Sequence, residues 1–389
     1  MKPFRYHQPT QNHFGSGKLA EAGSLVASYG KRCLIVSAPE NGAFTSLYRA
    51  VQDSLTSSGV ACAQYDEVIP NPTTECVCRG AKLARQLRAD VVLGVGGGSS
   101  MDTAKAIAVE ATHPGTCWDY LYFRPNQPDE RTLPVVVITT TSGTGSQVTQ
   151  VAVVTNPAEK TKSALYNDRL YPRACIVDPD LTLTLPKHIR ASTGFDVFCH
   201  AFESLLHPNA SAYTDLMALE ALRLVLANLP AVLANPANGE ARRAMAWADT
   251  LAGLCIANAG VTLPHGIGMT IGGYCPQVMH GEALAVTYPE FMRFTYPYAL
   301  ERFATLGRIM KPELKGASDE AAAEGSCLAV DEFLQQIGMW LSLERLGVTW
   351  EEAGAIADHS RVLPDYKNNP RLADRDEIYE ILKRSYHRA

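Results

Sequence analysis

The first 185 residues alternate short apolar runs with amphipathic stretches, and that rhythm restricts the chain to few folds. KRCLIVSAPE reads as a buried strand and a loop, LYRAVQDSLTSSG as a helix ending at a glycine, and ACAQYDEVI as a second strand. NPTTECVCRGAKLARQLRA leads from a loop into a helix, and DVVLGVGGGSS is a strand and turn followed by the helix SMDTAKAIAVEA. LPVVVITTT and RACIVDPDLTLTLP close the series with two further strands. Strand and helix alternating at this pace predict βαβ units and a parallel sheet. Beyond about residue 185 only helical spacing remains, in ASAYTDLMALEALRLVLANLPAVLA, EARRAMAWADTLAGLCIANA, ALERFATLGRIM and CLAVDEFLQQIGMWLSLERLG. A chain of 389 residues suggests about two domains. The expectation is an α/β nucleotide-binding domain over residues 1–185 and an all-α domain over 186–389, with a cleft between them.

Two glycine-rich turns follow strands of the first half. In VVLGVGGGSSMDTAK, Gly96, Gly97, Gly98 and Ser99 lie between a strand and a helix. Such a turn exposes backbone N–H groups, and the helix start adds partial positive charge, so it suits a phosphate. The run is neither G-x-G-x-x-G nor a P-loop, and a tight structural turn is the alternative. ITTTSGTGSQVT supplies the second turn. Two such turns at the carboxyl ends of strands in one sheet favour a dinucleotide in the crevice where open α/β sheets bind ligands.

The second half carries a different chemistry. Asp196 and His200 in GFDVFCHAFES are four residues apart and share one face of a helix. His265 and His280 lie in VTLPHGIGMTIGGYCPQVMHGEALA. Three imidazoles and a carboxylate suit Fe2+ or Zn2+ better than Mg or Ca; the lack of Cys disfavours a closed structural zinc site, and an ion held this way can keep a position open for substrate. Taken alone, the Asp196/His200 pair reads equally as a contact on a helix surface. His7, His13, His113, His188, His207, His359 and His387 read as ordinary surface or core residues, and the aromatic residues of FMRFTYPYALERF as core.

Composition narrows the partners. A net charge of −5 gives no hint of nucleic acid or anionic membrane. No uninterrupted apolar run approaches the roughly 18 residues of a span. The N-terminal stretch has no apolar signal core, and the ten cysteines are scattered, so reduced thiols in a cytoplasmic protein are expected.

In order along the chain, NHFGSGKLAEAG, GGGSSMDTAK, TTTSGTGSQ, IVDPDLTLTLP, TGFDVFCHAFES, the His265–His280 stretch and NNPRLADRDEIYEIL resemble the group III, or iron-containing, alcohol dehydrogenases over nearly the whole length. The resemblance implies a dehydroquinate-synthase-like fold, with a nucleotide-binding α/β domain followed by an all-α metal-binding domain. It implies NAD or NADP, an iron ion (alternatively zinc), a small alcohol or aldehyde substrate whose oxygen the metal holds, and a homodimer. The metal falls on Asp196, His200, His265 and His280. Gly97, Gly98 and Ser99 fall on the pyrophosphate, Asp102 near the nicotinamide end, and Thr140, Thr149 and Lys162 along the cofactor. Asn71 falls near the adenosine.

Four departures from the family pattern stand out. Met269 occupies the position of a second histidine that serves as a candidate proton relay. His265 and His280 are one residue further apart than expected, with the extra residue assigned to a Gly272–Pro276 loop. Gln147 replaces a glutamate. Ala38 stands where NAD-preferring members carry an aspartate that bonds the ribose, with Glu40 two residues on. The alternatives on this fold are a dehydroquinate-synthase-type lyase and a glycerol-dehydrogenase-like polyol enzyme. The lyase needs a basic cluster for a phosphorylated substrate, whereas LPHGIGMTIGGY is apolar.

Overall fold

A computed structural model describes residues 2–40, 42 and 44–388. The chain divides into two compact units, His7–Pro186 and Met1–Tyr6 with Lys187–Ala389.

The strands of the first unit are β1 (Gln11–Phe14), β2 (Arg32–Ser37), β3 (Ala61–Tyr65), β4 (Val91–Gly96), β5 (Val135–Thr139), β6 (Val151–Asn156), β7 (Thr161–Tyr166) and β8 (Ala174–Val177). Six of them form one parallel sheet in the order β1-β8-β5-β4-β2-β3. Its helices are α1 (Ala22–Ala27), α2 (Thr45–Ser57), α3 (Thr74–Leu87) and α4 (Gly98–Glu110). β4, β5 and β8 are buried along their whole length, which is why they read as unbroken Val/Ile/Leu-rich runs rather than alternating ones. From β2 the connection runs outward to β3, and from β4 the order runs the other way through β5 and β8. The strand order therefore reverses between β2 and β4, and the Gly96–Ser99 turn leaves the sheet at that point.

Three features differ from the sequence expectation. β3 stops at Tyr65, short of the apolar Val68 and Ile69, although the Val68 N–H still donates to Ser37 O at 3.2 Å. β1 is a four-residue edge strand whose side chains are half-buried or exposed, so it carries no apolar signal. β6 and β7 form an antiparallel hairpin around the polar NPAEK turn.

The second unit holds α5 (Lys187–Leu206), α6 (Ala212–Ala234), α7 (Gly239–Asn258), α8 (Leu263–Tyr274), α9 (His280–Thr295), α10 (Leu300–Met310), α11 (Asp319–Gln336), α12 (Trp350–His359) and α13 (Arg375–Arg384). α5 is its central helix, buried from Arg190 to Leu206 save Thr193. Phe195, Phe198 and Phe202 are fully buried and meet Tyr288 and Phe303 edge-on. Each such ring contributes about 1.5–3 kcal/mol by burial, which fixes the register of the polar residues between them.

α6 is long and apolar enough to cross a membrane by length and composition, which the count of uninterrupted runs does not anticipate. In the structure its Ala218, Ala221, Leu222, Val225 and Leu229 are buried, and it packs against α5 and α7. Its Asp215 carboxylate accepts from Arg302 at 2.8 Å. α11 ends at Gln336, and Gly338 then takes a left-handed φ of 74°, so MWLSLERLG is irregular rather than helical. α8 continues to Tyr274, so the loop before His280 is residues 275–279 and not Gly272–Pro276. Phe291, Met292 and Phe303 are core, as FMRFTYPYALERF suggests, whereas Tyr298 in the turn between α9 and α10 is exposed.

Candidate active site

In the first unit the two glycine-rich turns touch. β4 ends at Gly96 with φ of 146°, a conformation that disfavours any side chain, and α4 begins two residues later. A Cβ on Gly97 would sit 3.0 Å from Thr141 Cγ2, and one on Gly98 would sit 2.6 Å from Thr144 Cγ2. The turn after β5 is thus packed directly on the start of α4, and a side chain at either glycine would require Thr141 or Thr144 to move. Gly98 and Ser99 are the first residues of α4, so their N–H groups have no partner within the helix. That is the arrangement an anionic group occupies.

Of the sequence-predicted cofactor residues, Thr140, Asp102 and Thr149 are bonded to these turns or to the helix between them, whereas Lys162 and Asn71 are joined to each other. Thr140 is buried, and its N–H donates to Gly96 O at 3.0 Å. The Asp102 carboxylate accepts from Ser146 Oγ at 2.6 Å through Oδ1 and from the Val153 N–H at 3.1 Å through Oδ2. Thr149 is buried, and its carbonyl accepts from Lys105 Nζ at 2.9 Å. Lys162 Nζ donates to Asn71 Oδ1 at 2.8 Å, and Asn71 adopts a left-handed φ of 52°. The loop after Asn71 is tied to the hairpin, since the Thr155 N–H donates to Pro72 O at 2.8 Å. Gln147 is buried within a short 3-10 turn, Ser146–Val148.

In the second unit the four predicted metal ligands converge. α5 places Asp196 and His200 one turn apart, α8 brings His265 in its first turn, and α9 starts at His280. The Nε2 atoms of His200, His265 and His280 lie 3.4, 3.6 and 3.9 Å from a single atom, Asp196 Oδ1. Ligand atoms of Asp196, His265 and His280 all fall within 4.8 Å of one another. The first residues of α9 press on α5 so closely that a Cβ on Gly281 would meet Ser192 O at 2.1 Å. Glycine at 281 is therefore what lets His280 reach the cluster.

The spacing approaches that of ligands around one ion, with His280 the widest at 3.9 Å from Asp196 and His200 outside the group within 4.8 Å. Metal–ligand bonds of about 2.0–2.2 Å set neighbouring tetrahedral ligands roughly 3.3–3.6 Å apart. Among the described residues neither Asp196 Oδ1 nor His265 Nε2 has a hydrogen-bond partner, although both are buried. Buried polar atoms seldom stand so, and these two lie 3.6 Å from each other.

Glu203 supports this cluster, and the sequence reading missed it. One carboxylate oxygen accepts from His265 Nδ1 at 2.7 Å, and the other accepts from the Thr262 N–H at 2.8 Å and its hydroxyl at 3.2 Å. Accepting at Nδ1 fixes the proton there and leaves the Nε2 lone pair facing Asp196. The available signal was an acid three residues after His200 on the same helix. Burial opposes charge on His265, but Glu203 and Asp196 outweigh it and hold the imidazole up at about 10. Burial likewise favours the neutral Asp196 carboxyl, and His200, His280 and His265 reverse that, keeping it well below the usual carboxylate range. Without an ion, Glu203 and Asp196 thus favour a second proton on His265, at the Nε2 position that a bound cation would take instead.

A parallel sheet bearing glycine turns, followed by a helical unit bearing a carboxylate–histidine cluster, is the arrangement that the resemblance to iron-containing alcohol dehydrogenases implies. Residues 9–179 match the iron-containing alcohol dehydrogenase family, and residues 190–386 match the C-terminal region of the Fe-containing alcohol dehydrogenase family. The chain is 33% identical over 379 residues to the NAD-dependent methanol dehydrogenase of Bacillus methanolicus, covering 96% of this chain and 98% of that one. It is 31% identical over 393 residues to the 1,3-propanediol dehydrogenase of Klebsiella pneumoniae, covering 98% and 99%. An archaeal halo-thermophilic alcohol dehydrogenase from a Red Sea brine pool superposes with a TM-score of 0.94 at 32% identity, over 99% of this chain and 100% of that one. The chain belongs to the iron-containing alcohol dehydrogenase family and is an oxidoreductase.

Proposed function

We propose that this chain moves a hydride between NAD and a small alcohol or aldehyde, with a divalent iron ion held by Asp196, His200, His265 and His280. The observation that carries the proposal is the convergence of three imidazole nitrogens on one buried carboxylate oxygen at 3.4–3.9 Å. An ion there supplies Lewis acidity to the substrate oxygen, and the nicotinamide supplies the hydride chemistry. The chain's own residues orient and bind. Glu203 selects the His265 tautomer, and the N–H groups of Gly98 and Ser99 take the pyrophosphate. Thr140, Thr149, Lys162 and Asn71 line the dinucleotide, and Asp102 holds the second turn.

NAD is supported by the name of the methanol dehydrogenase and by a sulfoacetaldehyde reductase from Bifidobacterium kashiwanohense, solved with NAD+, that superposes with a TM-score of 0.84 at 28% identity over 99% of each chain. Iron is supported by the family, while the donor set accepts zinc as well. Met269 lies one turn beyond His265 on α8 and holds no exchangeable proton, so proton transfer uses water or another group. By family resemblance the proposal extends to a cytoplasmic homodimer.

The test follows NADH and NADPH absorbance with a panel of short aldehydes, before and after a chelator and after adding back Fe2+ or Zn2+. Turnover with NADH that the chelator abolishes and metal restores is expected. No turnover with any aldehyde, ketone or alcohol refutes the proposal.

A further inference from the structure

Lys105 is fully buried in α4, and the proposed chemistry does not use it. Its Nζ donates to Ser146 O at 2.7 Å, Val151 O at 2.8 Å and Thr149 O at 2.9 Å. Ser146 Oγ at 2.9 Å and Thr149 Oγ1 at 3.4 Å complete the shell. An ammonium has three N–H donors, and three carbonyls take them. The side chain therefore has no donor left for a substrate, which excludes it as an acid or base in the reaction.

Two of those carbonyls, of Ser146 and Thr149, belong to a short stretch with little ladder of its own, and the third opens β6. Between Gly145 and β6 the chain forms one 3-10 turn, Ser146–Val148, and then Thr149 and Gln150 lie outside any element. One turn earlier on α4, Asp102 grips the same stretch from its donor side, through Ser146 Oγ and the Val153 N–H. The carboxylate collects donors and the ammonium supplies acceptors with protons, so the two side chains hold residues 146–153 onto α4. Burying an ammonium costs several kcal/mol, which an apolar residue of the same volume avoids. Burial draws the ammonium down to about 8, with Asp102 opposing.

The attachment to α4 concerns the cofactor surface. α4 begins at the first glycine turn, and the second turn packs against it at Gly97–Thr141 and Gly98–Thr144. We propose that Lys105 is a positioning residue for the dinucleotide, tying the second glycine turn to the helix that starts at the first so that both meet the cofactor as one preformed surface. The proposal rests on NAD binding at these turns, as proposed for the function. Without the tie, binding must order the second turn, and affinity falls by that ordering cost.

The test compares wild type with Lys105→Met, which keeps length and removes the donors, and Lys105→Gln, which restores two shorter donors. NADH affinity is read by nicotinamide fluorescence, kcat and KM for NAD by initial rates, and backbone protection by hydrogen exchange. Lys105→Met is expected to weaken NADH binding and raise KM for NAD by about 10–100-fold, the range that 1.4–2.8 kcal/mol represents. Lys105→Gln is expected between Met and wild type. Metal content and kcat at saturating NAD should stay within a few-fold of wild type. Exchange should quicken at residues 144–151 while β4 and β8 stay protected, a pattern that general destabilisation does not produce. Unchanged NADH affinity in folded Lys105→Met overturns the proposal, and so does weakened binding without local loosening. If Lys105→Met does not fold, Lys105→Gln decides, and affinity within twofold of wild type overturns it. Failure of wild type itself to bind NADH instead removes the cofactor reading, which separates the two.

Discussion

Glu203→Gln replaces one oxygen by an amide nitrogen and removes one charge, and the hydrogen bonds around it dictate the consequence. The carboxylate makes three hydrogen bonds as an acceptor only, to His265 Nδ1, the Thr262 N–H and the Thr262 hydroxyl. A carboxamide cannot reproduce this. If its NH2 faces His265, the imidazole must take its proton on Nε2, away from Glu203 and on the side of the ion. If its NH2 faces Thr262, two N–H donors oppose each other inside the protein. Losing a hydrogen bond to a charged group costs about 1.5–3 kcal/mol, and removing a carboxylate that supports a metal-bound histidine typically costs about 10–100-fold in metal affinity. The two ranges agree, since about 1.4 kcal/mol is tenfold. The assay is competition for Fe2+ or Zn2+ against a chelator of known affinity, with circular dichroism to confirm folding. The expected result is a folded variant whose metal affinity falls by about 10–100-fold, while NADH affinity is unchanged. Wild-type metal affinity in Glu203→Gln would show that the His265 tautomer is not set by Glu203, and the electrostatic account of the cluster would fail.

Packing and burial give two further expected outcomes. Gly98→Ala places a methyl 2.6 Å from Thr144 Cγ2, and the second turn must shift; KM for NAD should rise by about tenfold, in line with a packing penalty of about 1–3 kcal/mol, and adding Thr144→Ser should recover part of the loss in steady-state kinetics. His207 is buried, which depresses its imidazole to about 4 with a smaller contribution from Lys2, and its Nδ1 accepts from the Asn209 N–H at 3.0 Å. The unfolded chain takes up this proton near pH 6.5 and the folded chain only near 4, so the contribution to stability is complete above about 6.5 and is lost as pH falls toward 4. His207→Asn keeps an acceptor without the titration, and its melting temperature should fall less than that of wild type between about pH 7 and 4.5.

How much of the fold and site was legible in the sequence depends on how local the cause is. β4 could be read because both its faces are covered and it ends at a glycine run. The Asp196–His200 pair could be read because helical spacing alone makes them neighbours. β1 could not, since its strand character comes from pairing with β8, far along the chain. The end of α8 was misplaced because Gly272 and Gly273 look like loop residues, yet both are buried in the last turn of the helix. Glu203 and Lys105 escaped for a common reason. A lone charge in a helix is usually a solvated one, and only the fold shows that Glu203 has His265 and Thr262 as partners and that Lys105 has three carbonyls.

The central claim is that one ion is held by Asp196, His200, His265 and His280 and that hydride transfer depends on it. The most direct measurement is an anaerobic Fe2+ titration of metal-stripped protein, following bound iron and NADH oxidation with a short aldehyde in the same samples, for wild type and for His280→Ala. The account predicts that activity rises in proportion to bound iron in wild type, and that His280→Ala stays folded while losing tight iron and activity together. Undiminished iron in His280→Ala, or full activity in stripped wild type, would contradict it.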